Sequence, residues 1–416
     1  KAGAATDFDG KYFIKPIPPG DYTVKVKSIG FQPNQTNGVR VNAESITFFD
    51  LGLESSAVDL DVFVVQEYTV PLIDKGNTVS GGVITKEQLN RMPSRGAAGV
   101  ASTVGGVFSK DDGSGNQFMR GSRSDANYYF IDGIKVRGTS ALPQSSIEQV
   151  SVMMGGIPAQ YGDVTGGVVS ITTRGPSKDF AGGLEYVSSG YKFGDNIVGL
   201  DKYGYNLAEF SLTGPLVMKK DEEGKKTEPL VGFFLAGNGT SIIDGRPSPI
   251  GYWKAKDDVL TSIQEDPLRK NPNGPGVFYN AEYLRLNDFE KVETTPNIAS
   301  NSVNINAKLD FNTGPKTNFT VGGTFNYGKN QRYSEANLLF NTGNNGENMT
   351  YTWRSYARFT QRFYSSQSNE EAKSSSIKNA FYSIQVDYQQ RVVKQYDPDF
   401  KDDLFKYGHY GAFKRF

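Results

Sequence analysis

The sequence predicts a mostly β protein with three parts: an N-terminal β-sandwich, a small α+β unit, and a long series of antiparallel strands. Three observations carry this. Short alternating runs separated by Gly and Pro turns fill residues 1–57. Two short helix signals and several β runs closed by Gly turns fill residues 76–177. From about residue 180 onward, apolar and polar residues alternate with period two over long stretches.

In the first part, Thr6-Asp7-Phe8-Asp9-Gly10 forms a turn signal ahead of Lys11–Ile14, and Pro18-Pro19-Gly20-Asp21 a second ahead of the alternating run Tyr22–Lys27. Val39–Val41 and Ile46–Leu53 supply further strands. Residues 58–75 read as a connector. Within it Asp61-Val62-Phe63-Val64-Val65-Gln66-Glu67 is extended and β-branched, either an ordinary edge strand or a segment suited to pairing with a partner's sheet.

In the α+β unit, Thr85 with Gln88 three places on is an N-cap box opening a helix over Lys86–Asn90, limited by Pro93. Ala97–Thr103 predicts a second helix, stopped at Gly105-Gly106. Strands follow at Phe118–Met119, Asn127–Ile131, Ile147–Met153 and Val168–Thr172. Asp111-Asp112-Gly113-Ser114-Gly115-Asn116 is rich in oxygen ligands but lacks the closing Glu and flanking helices of an EF-hand, and reads as a loop.

In the third part, Val303, Ile305, Ala307, Leu309 and Phe311 alternate with Asn304, Asn306, Lys308 and Asp310. Phe319, Val321, Phe325 and Tyr327 alternate with Thr320, Thr324 and Asn326. Tyr351, Trp353, Ala357 and Phe359 face away from Thr352, Arg354, Arg358 and Thr360, and Ala380–Tyr388 repeats the scheme. One apolar and one hydrated face per strand suits a membrane barrel or a soluble sandwich. Connections alternate in length: Gly314-Pro315 is tight, whereas 244–300, with six Pro, and 331–349 are long. Lys219–Lys226 is a charged hairpin tip.

Composition narrows the function. With 45 basic and 45 acidic side chains, the net charge of zero gives no reason to expect nucleic acid as a partner. The absence of Cys excludes disulfides and thiol chemistry, and the lone His409 builds neither a His-rich metal site nor a catalytic pair. No apolar run is long enough for a membrane helix. The expectation is a protein that is not an enzyme, with no cofactor and no bound metal.

Three motifs stand in order: Arg120-Gly121; Ile131-Asp132-Gly133; and Ile147-Glu148-Gln149-Val150 continuing to Tyr161-Gly162 and Gly166-Gly167-Val168-Val169-Ser170-Ile171. Together they resemble the plug of TonB-dependent outer-membrane transporters. Residues 1–57 resemble the carboxypeptidase-regulatory-like domain that precedes the plug in many such transporters of Bacteroidota, without its usual first strand. The resemblance implies a plug over 76–177 and, over 178–416, the N-terminal part of a transmembrane antiparallel barrel. Such barrels have ~22 strands, against about eight to ten legible here. We therefore expect the chain to be incomplete at both ends.

The resemblance also implies the functional residues. Asp61, Val62, Phe63, Val64, Val65, Gln66 and Glu67 stand where the family carries its TonB box. Arg120, Gly121, Asp132, Gly133, Glu148, Tyr161, Gly162, Gly166 and Gly167 form the structural and gating motif of the plug. Arg120, Arg123, Arg137 and Arg174 are expected to anchor plug to barrel. Tyr128, Tyr129, Trp253 and Trp353 are candidate contacts for a solute. Expected partners are TonB with its inner-membrane motor, outer-membrane lipid and a small solute of unknown identity. A surface lipoprotein or other outer-membrane subunits are further expected partners. Where glycan importers of the SusC-like group carry an Ala-rich "DASA-x-x-IYGARGANGV", this chain has Met153-Met154-Gly155-Gly156-Ile157-Pro158-Ala159-Gln160-Tyr161-Gly162, so a SusC-like subtype is not expected. The expected function is TonB-driven uptake of a scarce solute across the bacterial outer membrane. The alternative is a non-transporting scaffold or receptor subunit of a larger outer-membrane complex.

Overall fold

The computed structural model describes residues 3–7, 9–15, 17, 19–42, 46–55, 64–67, 80–93, 95–109, 116–136, 141–194, 196–220, 224, 226–312, 314, 316–364 and 379–407. Three bodies follow in chain order. The first is a sheet of β1 (Gly20–Val26), β2 (Asn34–Val41) and β3 (Val64–Glu67) in the order β1-β2-β3. β1 and β2 are antiparallel with a bulge between Tyr22 and Val24, and β3 runs parallel to β2. Lys11–Ile14 and Ile46–Leu53, expected as strands, run alongside without forming a ladder. A side-chain bond from Tyr12 Oη to the Phe49 carbonyl (2.7 Å) ties them together.

The second body is built on a five-stranded sheet of β4 (Ser80–Thr85), β7 (Tyr128–Ile131), β8 (Ile134–Lys135), β9 (Ile147–Gly155) and β10 (Val168–Thr173), in the order β4-β9-β10-β7-β8. β10 pairs antiparallel with β9 and parallel with β7. Helices α1 (Lys86–Leu89) and α2 (Gly96–Ala101) pack on β9, and a hairpin of β5 (Val107–Ser109) and β6 (Gln117–Met119) lies beside them. The Gln88 side chain accepts the Thr85 N–H at 3.1 Å, as the cap signal predicts. β9 is covered on both faces: Val150 and Val152 pack with Ile171, Val169, Leu89 and Val100 on one, and Met153 with Phe130, Tyr161 and Val168 on the other.

The third body is a seven-stranded antiparallel sheet in the order β11-β14-β15-β20-β21-β22-β23. Its strands are β11 (Ala181–Ser188), β14 (Asn206–Lys220), β15 (Lys226–Ile242), β20 (Ser300–Phe311), β21 (Thr317–Gln331), β22 (Glu347–Tyr364) and β23 (Asn379–Tyr396). Between β11 and β14 lies a hairpin of β12 (Gly190–Phe193) and β13 (Asn196–Gly199). The long 243–299 connection carries its own structure: β16 (Tyr252–Ala255) pairs with β19 (Phe289–Val292), β17 (Leu268–Lys270) with β18 (Val277–Tyr279), and α3 (Asp257–Glu265) lies between. Asp244, fully buried, clamps both ends of this connection by accepting the N–H groups of Arg246 (2.8 Å) and Thr295 (2.9 Å).

The long sheet is inside out relative to a soluble protein. Asn304, Asn306, Lys308, Thr324, Asn326, Thr352 and Arg354 are buried, whereas Val303, Leu309, Phe319, Phe325 and Trp353 are exposed. Polar side chains face the second body and apolar ones face outward, which is how a barrel wall is made for lipid. Strands of 15 to 18 residues (β14, β21, β22, β23) exceed the ~10 needed to cross a bilayer.

The packing of β4 on β9 leaves no room for a side chain at Gly81, where a Cβ would sit 1.8 Å from the Val152 carbonyl oxygen. Gly81→Ala should therefore destabilise the second body by about 1–3 kcal/mol through overpacking. Gly105→Ala, with nothing within 4 Å of the added carbon, should leave thermal unfolding of the full chain unchanged.

Candidate functional site at the seam between plug and wall

The two Gly-containing turns of the second body share one backbone device. Arg120-Gly121 (φ 49° and 79°) and Asp132-Gly133 (φ 50° and 83°) each place two successive residues in the left-handed region. The second pair closes the β7–β8 hairpin as a two-residue turn with both central residues at positive φ. That conformation strains a non-Gly residue, and at Asp132 it sends the carboxylate into the wall.

Asp132, with its side chain 5% exposed, lies 3.3 Å from Lys308 Nζ of β20. Thr173 of β10 donates both its N–H (2.9 Å) and its hydroxyl (2.6 Å) to the same carboxylate, and Tyr356 Oη of β22 donates at 3.0 Å. Arg358 of β22 donates to the Asp132 carbonyl, and Lys308 Nζ also reaches the Thr173 carbonyl at 3.2 Å. Burial pushes the carboxyl up, but Lys308, the two Thr173 bonds and Arg358 together outweigh it, so it stays below its ordinary value. The cluster requires Gly322: a Cβ there would lie 2.7 Å from the Tyr356 ring and hydroxyl, displacing the donor from Asp132.

A second contact lies four residues along the strands, about 13 Å away. Here Glu209, Asn238, Asn304, Asn326 and Thr352 stand directly opposite one another across β14, β15, β20, β21 and β22. The amides chain together: Asn326 to Asn304 (2.8 Å) and Asn304 to Asn238 (2.9 Å). Onto this row the second body lays main chain. The Ser145 N–H donates to Glu209 (2.6 Å) and the Ala141 carbonyl accepts from Asn326 (2.7 Å). A third contact joins Arg95, just before α2, to Glu185 of β11 (3.0 Å for one of its two bonds).

The anchoring residues differ from the expectation. Arg120 donates to Ser80 within the second body (2.6 Å), and Arg174 lies 3.7 Å from Glu148 of the same body. Arg137 falls outside the described residues. The main clasp has the opposite polarity, a carboxylate from the inner body and cations from the wall. The reason is topological: Arg120 sits at the β6 end, beside β4, whereas the β7–β8 turn projects from the sheet edge toward β20 and β22. Lys308, Tyr356 and Arg358 were legible only as polar-face residues of their strands.

The remaining motif residues are packing elements. Tyr161 is buried edge-on against Phe130, with ring centroids 4.6 Å apart. Gly162 has φ 40°. A Cβ on Gly166 would meet Asn127 Oδ1 at 2.3 Å, and one on Gly167 would meet Met119 Sδ at 2.1 Å. Of the solute candidates, Tyr129 is half-buried in the inner body and Tyr128 lies under the Lys135 ammonium (3.5 Å). Trp353 points outward, its ring tilted against Tyr388 with centroids 5.0 Å apart, and so lies on the apolar outer face. Trp253 lies on β16 in the long connection. Of the oxygen-rich loop only Asn116 is described, and no metal-binding group of side chains occurs among the described residues. Of the box candidate, Val64–Glu67 form β3, and Asp61–Phe63 lie outside the described residues.

Residues 74–169 match the TonB-dependent Receptor Plug Domain, and residues 1–65 match the CarboxypepD_reg-like domain. The chain therefore carries a TonB-dependent receptor plug domain behind a CarboxypepD_reg-like domain. It is 28% identical over 192 residues to the TonB-dependent transporter Oar of Myxococcus xanthus, covering 43% of this chain and 18% of that protein. Among solved structures it is similar to the siderophore receptor PirA of Pseudomonas aeruginosa (14% identity, 75% of this chain, 41% of that chain, TM-score 0.43). It is also similar to the ferripyoverdine receptor of the same organism (14% identity, 68% and 32%, TM-score 0.41). The chain thus spans less than half the length of these relatives. No helix among the described residues is long and apolar enough to cross a membrane, which says nothing of crossing by strands.

Lys308→Met leaves Asp132 charged and buried without its ammonium partner, and should weaken plug retention by about 3–5 kcal/mol. The double change with Asp132→Asn should recover most of this, read as the urea concentration at which protease reaches the plug. Because the folded carboxyl titrates below its ordinary 3.8, its contribution is fully present above that pH and is lost as pH falls through the lower folded value. Acid release of the plug should follow that course in the wild type and lose this step in Asp132→Asn.

Proposed function

We propose that this receptor is a TonB-dependent transporter that takes up a scarce small solute across the outer membrane, with force transmitted by TonB to the plug. The observation that carries this reading is how the plug is held. Both clusters of buried apolar side chains lie entirely within residues 84–171, inside the plug. The described contacts between plug and wall are polar instead: the Asp132 clasp, the Glu209 and Asn326 contacts, and Arg95 with Glu185. A body with its own core, seated by hydrogen bonds and ion pairs on a polar wall, can be pulled and reseated without unfolding a shared core. Water replaces such contacts at small net cost, which an apolar interface of the same size would not allow.

The solute enters by the rim that bears the long 243–299 and 332–346 connections, and Val64–Glu67 with the preceding residues acts as the TonB box. No residue performs covalent chemistry. One observation favours the scaffold reading: Val64–Glu67 is already a strand of the N-terminal sheet, as a purely structural segment would be.

The test is binding of the periplasmic domain of TonB to the detergent-purified full-length receptor, wild type against Val64→Pro, which removes a backbone donor. The expected result is measurable binding by the wild type, at least tenfold weaker in the variant. Absence of binding by the wild type refutes the transporter and leaves the scaffold.

A further inference from the structure

The N-terminal sheet meets the plug through a crossed set of charges. Arg40 of β2 is fixed within its own sheet by two bonds of 2.8 Å to Asp21 of β1, and its guanidinium lies 3.2 Å from Glu87 of α1. The Asp21 carboxyl is held below its ordinary value by the Arg40 bond, with burial opposing and Lys86 of α1 assisting. Each body thus presents an acid with a base, Asp21 with Arg40 and Lys86 with Glu87, set so that opposite signs meet. A cavity of about 20 Å³ lies between the two bodies, the room one water needs. Asp21, Arg40 and Asn42 line it from the sheet, and Thr85, Glu87 and Glu148 from the plug.

The same end of the sheet reaches the wall. Tyr22 of β1 is half-buried. Burial raises its hydroxyl above the ordinary value, Arg362 of β22 acts against this, and Glu148 of β9 adds to it. Charges of both other bodies therefore bear on one side chain of the sheet. Arg362 stands at the tight-turn end of the wall, where its N–H donates to the Lys316 carbonyl (2.8 Å). Glu148 lies 3.7 Å from Arg174, just where the chain leaves the plug for β11. None of these contacts builds a core. The buried apolar clusters of the plug lie within residues 84–171, and the Arg40–Asp21 pair is complete without Glu87. They fix where the bodies sit relative to one another.

We propose that the N-terminal sheet is a latch on the plug: seated by Arg40 on Glu87 and by Tyr22 near Glu148 and Arg362, it spans the seam between plug and wall, and the plug leaves only after the sheet has lifted. This goes beyond the transport reading and is independent of what pulls on the chain. The ion pairs are partly exposed, so each is weak and screened by salt, which lets the latch open without unfolding either body.

The absence of Cys makes labelling clean. Spin labels at Ser28→Cys, in the exposed turn after β1, and Asp179→Cys, on the exposed segment before β11, report the distance from sheet to wall in the full-length protein by pulsed electron paramagnetic resonance. Retention is read as the rate at which protease cuts the plug at a fixed urea concentration below unfolding. The latch predicts one narrow distance in the wild type. Lys86→Gln with Glu87→Gln, on the plug side, should speed cleavage roughly threefold to tenfold. Asp21→Asn with Arg40→Gln, on the sheet side, should do the same. All four changes together should broaden the distance yet speed cleavage no more than either pair alone. A broad distance in the wild type overturns the latch, as does a narrow one that survives all four changes. Additive effects of the two pairs, or no effect of either, overturn it equally. Binding of TonB, which tests the transport reading, is a separate measurement, so either idea can fail alone.

Discussion

A buried carboxylate is the constraint around which the receptor's lumen is arranged. Asp132 is held in a strained left-handed turn and points away from its own domain. An isolated carboxylate in that position would be prohibitively costly to desolvate. It is tolerated because Lys308, Thr173, Tyr356 and Arg358 converge on it or on its carbonyl from three strands. Each supporting residue imposes a further condition. Tyr356 needs Gly322 beneath its ring, Lys308 and Tyr356 must face inward on strands whose neighbours face lipid, and Thr173 must end β10 beside the β7–β8 turn. One ion pair thus sets the register of the plug against the wall.

The inside-out wall and the self-contained plug follow from the same physics. Lipid outside requires apolar side chains there, and period two then gives the lumen whatever polar residues alternate with them. A lumen of Asn, Thr, Lys and Arg presents no apolar surface on which a plug could share a core. The plug accordingly closes its own core over β9 and both helices, and meets the wall through hydrogen bonds to main chain at Ala141 and Ser145. Stability of the plug and its retention in the wall are therefore separable quantities.

The N-terminal sheet extends this arrangement away from the wall. Arg40 bridges Asp21 of its own sheet and Glu87 of the plug with its guanidinium partly exposed, so the bridge is weak and salt-sensitive on its own. Its value is geometric: β2 and the start of α1 are kept in register, and β3 lies next to β2 at the sheet's outer edge.

Sequence alone determined the class of each part. Thr85 and Gln88 announce a helix start because capping is local, and alternation announces β20, β21, β22 and β23 because side-chain direction in a strand depends only on parity. The ordered Gly motifs announce the plug because left-handed turns and close backbone approach favour Gly, as at Gly121, Gly133, Gly166 and Gly167. The sequence did not identify which charges meet. Arg120 and Arg174 look like anchors in a linear reading, yet they satisfy Ser80 and Glu148 close at hand. The wall partners of Asp132, namely Lys308, Tyr356 and Arg358, lie more than 170 residues away, and no periodicity links them. That pairing depends on which edge of the plug sheet faces which strands of the wall, a choice made by the packing of two whole domains. Tertiary structure alone decided it, because a buried charge selects its counter-ion by position in space, and parity along a strand says only that the side chain points inward.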